Sequence, residues 1–254
     1  MKRLAYILMI IFAVIGIHAD EPERLVNAIN TIIDKFPFAI SIQIGEKHHC
    51  GGAIISKRFI LTAAHCLQPF KGTPMMNKMK VLSGTTTLNN GGIRYDIEDI
   101  YYHEKYNTEK LVENGYDIGL IKLMKDIEFN NVQKPISLPN CDAPVAERAK
   151  VLIVAWGRLF NRGPVSNELQ VLNTYYMTNT ECQKYHTQII PSISFCTFIA
   201  PSLGTCNGDS GSAVLYGGQI IGVVSAGRPC AMGTPDIKTK VCSHMNWIRN
   251  IMTN

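Results

Sequence analysis

The chain has 254 residues, of which 46% are hydrophobic and 18% charged, and its formal net charge is +5. Such a composition supplies ample apolar surface for a buried core and excludes an intrinsically disordered chain. The modest charge, with no long Lys/Arg run, excludes a dedicated nucleic-acid surface.

Residues 1–19 read as a secretory signal peptide, with Lys2 and Arg3 ahead of an apolar run from Leu4 to Ile17 and a cut expected after Ala19. The run is too short to span a bilayer, so a secreted, extracellular protein with no membrane association is expected, with an uncleaved anchor as the alternative. Residues 20–24 form a short acidic piece that ends in Arg24 and is followed by Leu25-Val26-Asn27-Ala28. Ala39 to Ile44 then alternates apolar and polar residues, the pattern of a half-buried strand. Comparable runs lie at Gly52–Ile55, Phe59–Thr62, Lys80–Ser83, Tyr95–Ile100, Ile118–Leu123, Val151–Trp156, Leu169–Thr174, Ala213–Leu215, Gln219–Ser225 and Ile237–Val241. Short strands between Gly, Pro and Asn turns, without a long helical period, predict an all-β fold of the sandwich or barrel type. Three prolines and Cys141 interrupt the pattern between Pro135 and Pro144, marking a junction between two compact halves. From Cys242 to Met252 the residues Met245, Ile248, Ile251 and Met252 recur at helical spacing, which predicts one terminal amphipathic helix.

The eight cysteines take their meaning from secretion. In an oxidising compartment an even number implies disulfides, although spacing alone leaves on the order of a hundred pairings open. A zinc site would want tight C-x-x-C or H-x-x-H pairs, which the chain lacks, so no metal and no cofactor is expected. There is no N-x-S/T acceptor for N-glycosylation.

Three places carry candidate chemistry. The stretch from Gly204 to Ala213 reads Gly-Thr-Cys-Asn-Gly-Asp-Ser-Gly-Ser-Ala, a serine on a glycine-rich turn whose amides at Gly208 and Ser210 are natural oxyanion donors if Ser210 is a nucleophile. Leu61-Thr62-Ala63-Ala64-His65-Cys66 sets a histidine at a strand end, and Asp117 opens a very apolar strand where its ionisation needs hydrogen-bond partners. Each alone has an ordinary explanation: a Gly/Ser turn, a core histidine, a strand-start aspartate. Together they follow the order His65, Asp117, Ser210, which is that of chymotrypsin and opposite to that of α/β-hydrolases.

On these residues, above all Thr-Ala-Ala-His-Cys and Gly-Asp-Ser-Gly, the chain from about Arg24 to its C-terminus resembles chymotrypsin-family serine proteases, insect chymotrypsins most of all. The resemblance implies two packed antiparallel Greek-key six-stranded β-barrels with a C-terminal α-helix. Residues 25–135 would carry His65 and Asp117, and residues 136–254 would carry Ser210, the specificity pocket and the helix. It implies that Ser210 attacks the peptide carbonyl, His65 is its general base, Asp117 orients His65, and Ser225 supports Asp117. It pairs Cys50 with Cys66, Cys182 with Cys196, Cys206 with Cys230, and Cys141 with Cys242. It makes residues 20–24 an activation propeptide, removed by a trypsin-like protease that cuts after Arg24 so that the Leu25 ammonium pairs with Asp209. Asn27 and Ala28 depart from the glycines usual there.

The resemblance further places the specificity pocket at Gly204, Thr205, Ser225, Gly227, Asp236 and Lys238. Gly204 stands where trypsins carry an aspartate, which implies a deep uncharged slot for Phe, Tyr, Leu or Met. Asp236 takes the place of a family glycine lining that slot, and Lys238 shares its strand face, so its ammonium is positioned to reach the carboxylate. Mainly chymotryptic cleavage is expected, with Arg or Lys secondary. Ala226 replaces an aromatic wall, Ser212-Ala213 replaces Gly-Pro, and Ser83 to Tyr95 lacks the carboxylates of a calcium loop. The expected partners of this monomer are protein and peptide substrates, the activating protease and protein protease inhibitors. A digestive role is favoured by the short propeptide, and the alternative is a catalytically silent homologue that acts as a binding or regulatory module.

Overall fold

In the computed structural model the described residues are 28–228, 230 and 232–253. The signal peptide, the propeptide, Arg24 and Leu25 lie outside them.

Strands dominate. They are β1 (Ala28–Asn30), β2 (Ala39–Ile44), β3 (Lys47–Ile54), β4 (Phe59–Thr62), β5 (Met79–Ser83), β6 (Ile93–Tyr102), β7 (Gly119–Leu123), β8 (Lys150–Ala155), β9 (Gln170–Met177), β10 (Ser194–Phe198), β11 (Ala213–Tyr216), β12 (Gln219–Ala226) and β13 (Asp236–Lys240). The first half closes into a barrel in the order β2-β3-β4-β7-β6-β5. The second closes in the order β8-β9-β10-β13-β12-β11, with β1 added at β9. Each barrel has six antiparallel strands, and both use the same order of first, second, third, sixth, fifth and fourth. Closure leaves no unpaired sheet edge within either barrel.

Two strands escape a reading by alternation. β1 is a short and largely exposed Ala-Ile-Asn that exists by pairing with β9. β10 is buried on both faces, with Ser194 and Thr197 inside, so its sequence shows no apolar-polar alternation. The terminal helix begins at Met245 rather than Cys242, because Val241–His244 form a 3-10 turn anchored by the Cys141–Cys242 disulfide.

One apolar cluster runs from the first barrel (Ile40, Leu61, Ile100, Leu120) through the contact between the halves (Trp156, Leu169, Val223) to Met245 and Ile248 of the helix. The helix therefore docks by the apolar stripe visible in its sequence. A second cluster, with Ile153, Tyr176, Phe195 and Val214, fills the second barrel. Trp156 also donates its indole N–H to the Thr86 carbonyl at 2.9 Å, tying the barrels with a directed bond. Four disulfides are present: Cys50–Cys66, Cys141–Cys242, Cys182–Cys196 and Cys206–Cys230. No helix among the described residues is long and apolar enough to cross a membrane.

Candidate active site

Strand pairing brings His65 and Asp117 together across the sequence. β4 and β7 pair with Thr62 opposite Gly119, so the residues just after β4 and just before β7 leave the barrel at the same end. His65 sits there in the 3-10 turn Ala64–Cys66, which the Cys50–Cys66 disulfide fastens to β3. Asp117 is fully buried. Its Oδ1 accepts the His65 backbone N–H at 2.9 Å, and its Oδ2 accepts from His65 Nδ1 at 2.8 Å and from the Ser225 hydroxyl at 2.6 Å. Thr239 Oγ1 donates to the Asp117 carbonyl at 2.8 Å and links the segment to β13.

Burial alone would raise the Asp117 pKa, but the charge of His65 and the bonds from His65 and Ser225 outweigh it and hold the carboxyl below its ordinary value. For His65 the balance also favours charge. Burial pulls its pKa down, and the Asp117 carboxylate pulls harder and leaves it raised. The result is an ionised carboxylate that fixes one imidazole tautomer and stabilises the imidazolium.

Ser210 lies on the loop that leads into β11, and this loop is clamped between the barrels. Gly51 N–H, from β3, donates to the Ser210 carbonyl at 2.8 Å, and Gly211 N–H donates to the Val224 carbonyl of β12 at 2.8 Å. His48 Nε2 donates to the Gly208 carbonyl at 2.9 Å while its Nδ1 accepts from the Ser41 hydroxyl at 2.8 Å. Asp209 turns inward, 3% exposed, and accepts from Gly157 N–H at 2.9 Å and Cys206 N–H at 2.7 Å. Burial pushes its pKa up to about 6.

Gly211 makes the clamp sterically feasible. Its φ is +78°, and a Cβ there would lie 2.1 Å from Thr62 Oγ1 and 2.5 Å from the Gly51 carbonyl oxygen. Gly211→Ala is expected to destabilise the protein by about 2 kcal/mol and to displace Ser210 from its bond with Gly51. Urea denaturation checks the first effect and turnover of an ester substrate the second.

Beside Ser210 opens a cleft of about 200 Å³ walled by Thr205, Ser225, Ala226, Gly227 and Asp236, with Leu111 and Val224 adding apolar surface. Of the residues assigned to a pocket from sequence, Gly204 and Lys238 are not among these walls. Gly204 is buried next to Thr205, and Lys238 lies fully buried behind. Lys238 Nζ donates to Thr205 Oγ1 at 3.1 Å and stands 3.9 Å from Asp236 Oδ2. Burial lowers the Lys238 pKa against the pull of Asp236 and Asp209.

Gly51, His48 and Thr239 shape the site without having been singled out from the sequence. The signal for the first two was His48-His49-Cys50-Gly51, the segment that a disulfide ties to the His65 turn. Two Cys/His groupings, Cys50/His65/Cys66 and Cys182/His186/Cys196, have both sulfurs in disulfides and so offer no thiolate to a metal.

The sequence matches the family model described as Trypsin over residues 26–248. It is 35% identical to Chymotrypsin-2 of Vespa crabro over 215 residues, covering 85% of this chain and 94% of that protein. It is 32% identical to Trypsin-4 of Rattus norvegicus over 248 residues, covering 95% of each. The fold superposes on neuropsin, a serine protease expressed in the limbic system of mouse brain, with a TM-score of 0.79 at 25% identity, over 89% of this chain and 98% of that one. A family match over residues 26–248, relatives 35% and 32% identical over most of both chains, and two barrels of one strand order place the chain in the trypsin family of serine proteases.

Proposed function

We propose that the chain is a secreted serine endopeptidase of chymotrypsin-like preference, made as a zymogen that is cut after Arg24 and suited to digestion of protein. One observation carries this reading: the buried Asp117 carboxylate accepts from both His65 Nδ1 and Ser225, the arrangement that leaves His65 Nε2 free to act as a base. Ser210 attacks the peptide carbonyl as His65 takes its proton, an acyl-enzyme forms, and His65 returns the proton to the leaving amine. Water then repeats the sequence to release the acid. The amides of Gly208 and Ser210 hold the oxyanion, each contributing about 3 kcal/mol to the barrier reduction.

Val224, Ala226, Gly227 and Leu111 supply the apolar part of a lining that also holds Thr205, Ser225, Arg228 and Asp236, and burying an aromatic side chain against it contributes about 2 kcal/mol. Activation rests on Asp209. Its buried carboxyl, pushed up to about 6, would be drawn back down by the Leu25 ammonium, which would lock the loop that carries Ser210. A trypsin-like activator and protein inhibitors are the partners this reading implies.

The test is N-terminal sequencing of tryptically activated protein, followed by hydrolysis of matched Phe and Arg p-nitroanilides. A mature start at Leu25 and a Phe preference are expected. A start elsewhere in active material overturns the activation step, and a preference for Arg overturns the specificity.

A further inference from the structure

The floor of the cleft holds a charge arrangement that a plain hydrophobic slot does not need. Asp236 is 3% exposed and Lys238 is 0% exposed. The two carboxylate oxygens of Asp236 are treated very differently. Oδ2 accepts Thr205 N–H at 2.7 Å and Thr205 Oγ1 at 2.8 Å, with the Lys238 ammonium 3.9 Å away. Oδ1 is buried and has no hydrogen-bond partner. An unsatisfied carboxylate oxygen in that position is costly unless a donor arrives from elsewhere.

That oxygen lies against Gly227 at the wall of the cleft. Gly227 and Asp236 both wall it, and a Cβ on Gly227 would lie 2.6 Å from Asp236 Oδ1. With no side chain on Gly227, Oδ1 is spared the cover that a Cβ there would add. The carboxylates around it already have cations to meet them, and Arg228 adds another positive charge to the cleft lining. Lys238 answers one of the carboxylates Asp236 and Asp209, and the Leu25 ammonium answers the other under the activation proposed above. A substrate cation would arrive at a floor with no charge left to neutralise, whereas a neutral hydroxyl would bring the donor that Oδ1 lacks.

We propose that Asp236 Oδ1 accepts a hydrogen bond from the phenolic hydroxyl of a tyrosine before the scissile bond, with Lys238 as the buried counter-ion that keeps the pocket from taking Arg or Lys. This inference rests on the aromatic preference stated above and refines it from apolar side chains in general to tyrosine. A hydrogen bond to a charged acceptor is worth enough for a Tyr substrate to exceed its Phe counterpart about tenfold to a hundredfold in kcat/KM.

The experiment measures kcat/KM on p-nitroanilides that differ only in Tyr, Phe or Arg at that position. Competitive inhibition by p-cresol against toluene reads the same contact without turnover. The wild-type enzyme is compared with Lys238→Met and with the double variant Asp236→Gly/Lys238→Met, which removes the ion pair as a unit and so leaves no orphaned charge. Expected are a Tyr/Phe ratio of about ten or more in the wild type, a ratio near one in the double variant, and tenfold or greater gain of Arg turnover in Lys238→Met. p-Cresol should inhibit the wild type at about tenfold lower concentration than toluene, and equally in the double variant. A Tyr/Phe ratio near one in the wild type, or one unaltered in the double variant, overturns the inference and leaves the aromatic preference standing. A wild-type preference for Arg over both aromatics overturns the inference and the aromatic preference together. Should Lys238→Met not fold, the double variant and the inhibitor pair decide alone.

Discussion

Asp117→Asn is expected to lower kcat/KM at pH 8 by about ten-thousand-fold, the loss general to an Asp-His-Ser arrangement whose carboxylate is made neutral. The physical reason lies in the direction of one hydrogen bond. Asp117 Oδ2 accepts from His65 Nδ1 at 2.8 Å and thereby keeps the Nε2 lone pair aimed outward. An asparagine amide offered to Nδ1 donates instead, moves the ring proton to Nε2 and removes the base. The pH profile should move as well. Under the proposed role as general base, His65 must be neutral to accept a proton, so activity is expected to fall as pH drops through its pKa, which Asp117 holds above the ordinary 6.5. With the carboxylate gone, burial acts alone and that acidic limb shifts below 6.5. A pH-rate profile of both proteins checks the two effects, and a variant with unchanged rate and unchanged limb contradicts them.

The second large effect concerns acid stability. His244 is 2% exposed, packed against His103 and Tyr116, and its Nε2 has no partner. Burial first, and the neighbouring His103 second, lower its pKa to about 4, with a bond to the Gly115 backbone opposing. The unfolded chain titrates this group at 6.5, so between pH 6.5 and about 4 the unfolded state binds the extra proton. Stability is therefore lost as pH falls across that window, by about 3 kcal/mol from this residue. His48, also lowered to about 4 by burial, acts in the same direction. Asp209 acts oppositely, since a carboxyl raised to about 6 favours folding as pH falls toward its unfolded value. His244→Gln isolates one contribution. The difference in unfolding free energy between wild type and variant, from urea curves, should shift by about 3 kcal/mol in favour of the variant between pH 6.5 and 4. A constant difference contradicts it.

Much of the first barrel was legible because its strands are short and bounded by turns. Ala39–Ile44 and Phe59–Thr62 match β2 and β4 residue for residue. β10 was hidden because burial on both faces erases alternation, and its Ser194 and Thr197 look like turn residues until the ladder pairs them with β13. The equal strand order of the two barrels left no trace as a sequence repeat. Order is set by backbone pairing, which many side-chain sets satisfy.

At the site, residue types were readable and the bonds between them were not. The order of His65, Asp117 and Ser210 pointed to one site, but only the β4–β7 register shows how the first two meet. The hydroxyl that completes Asp117 comes from Ser225, 108 residues away, and the resemblance suggested that residue where spacing could not. Alternation put Asp236 and Lys238 on one strand face, but Thr205, 31 residues from Asp236, is the group that links them, and no local pattern announces it.

The role of Ser210 is open to one direct measurement. After cleavage at Arg24, the protein is treated with diisopropyl fluorophosphate and its peptides are mapped by mass spectrometry. Stoichiometric labelling confined to Ser210, lost in Ser210→Ala and accompanied by loss of peptidase activity, is the predicted result. Activated protein that stays unlabelled, or that is labelled elsewhere while Ser210 remains intact, contradicts the assignment of Ser210 as the nucleophile.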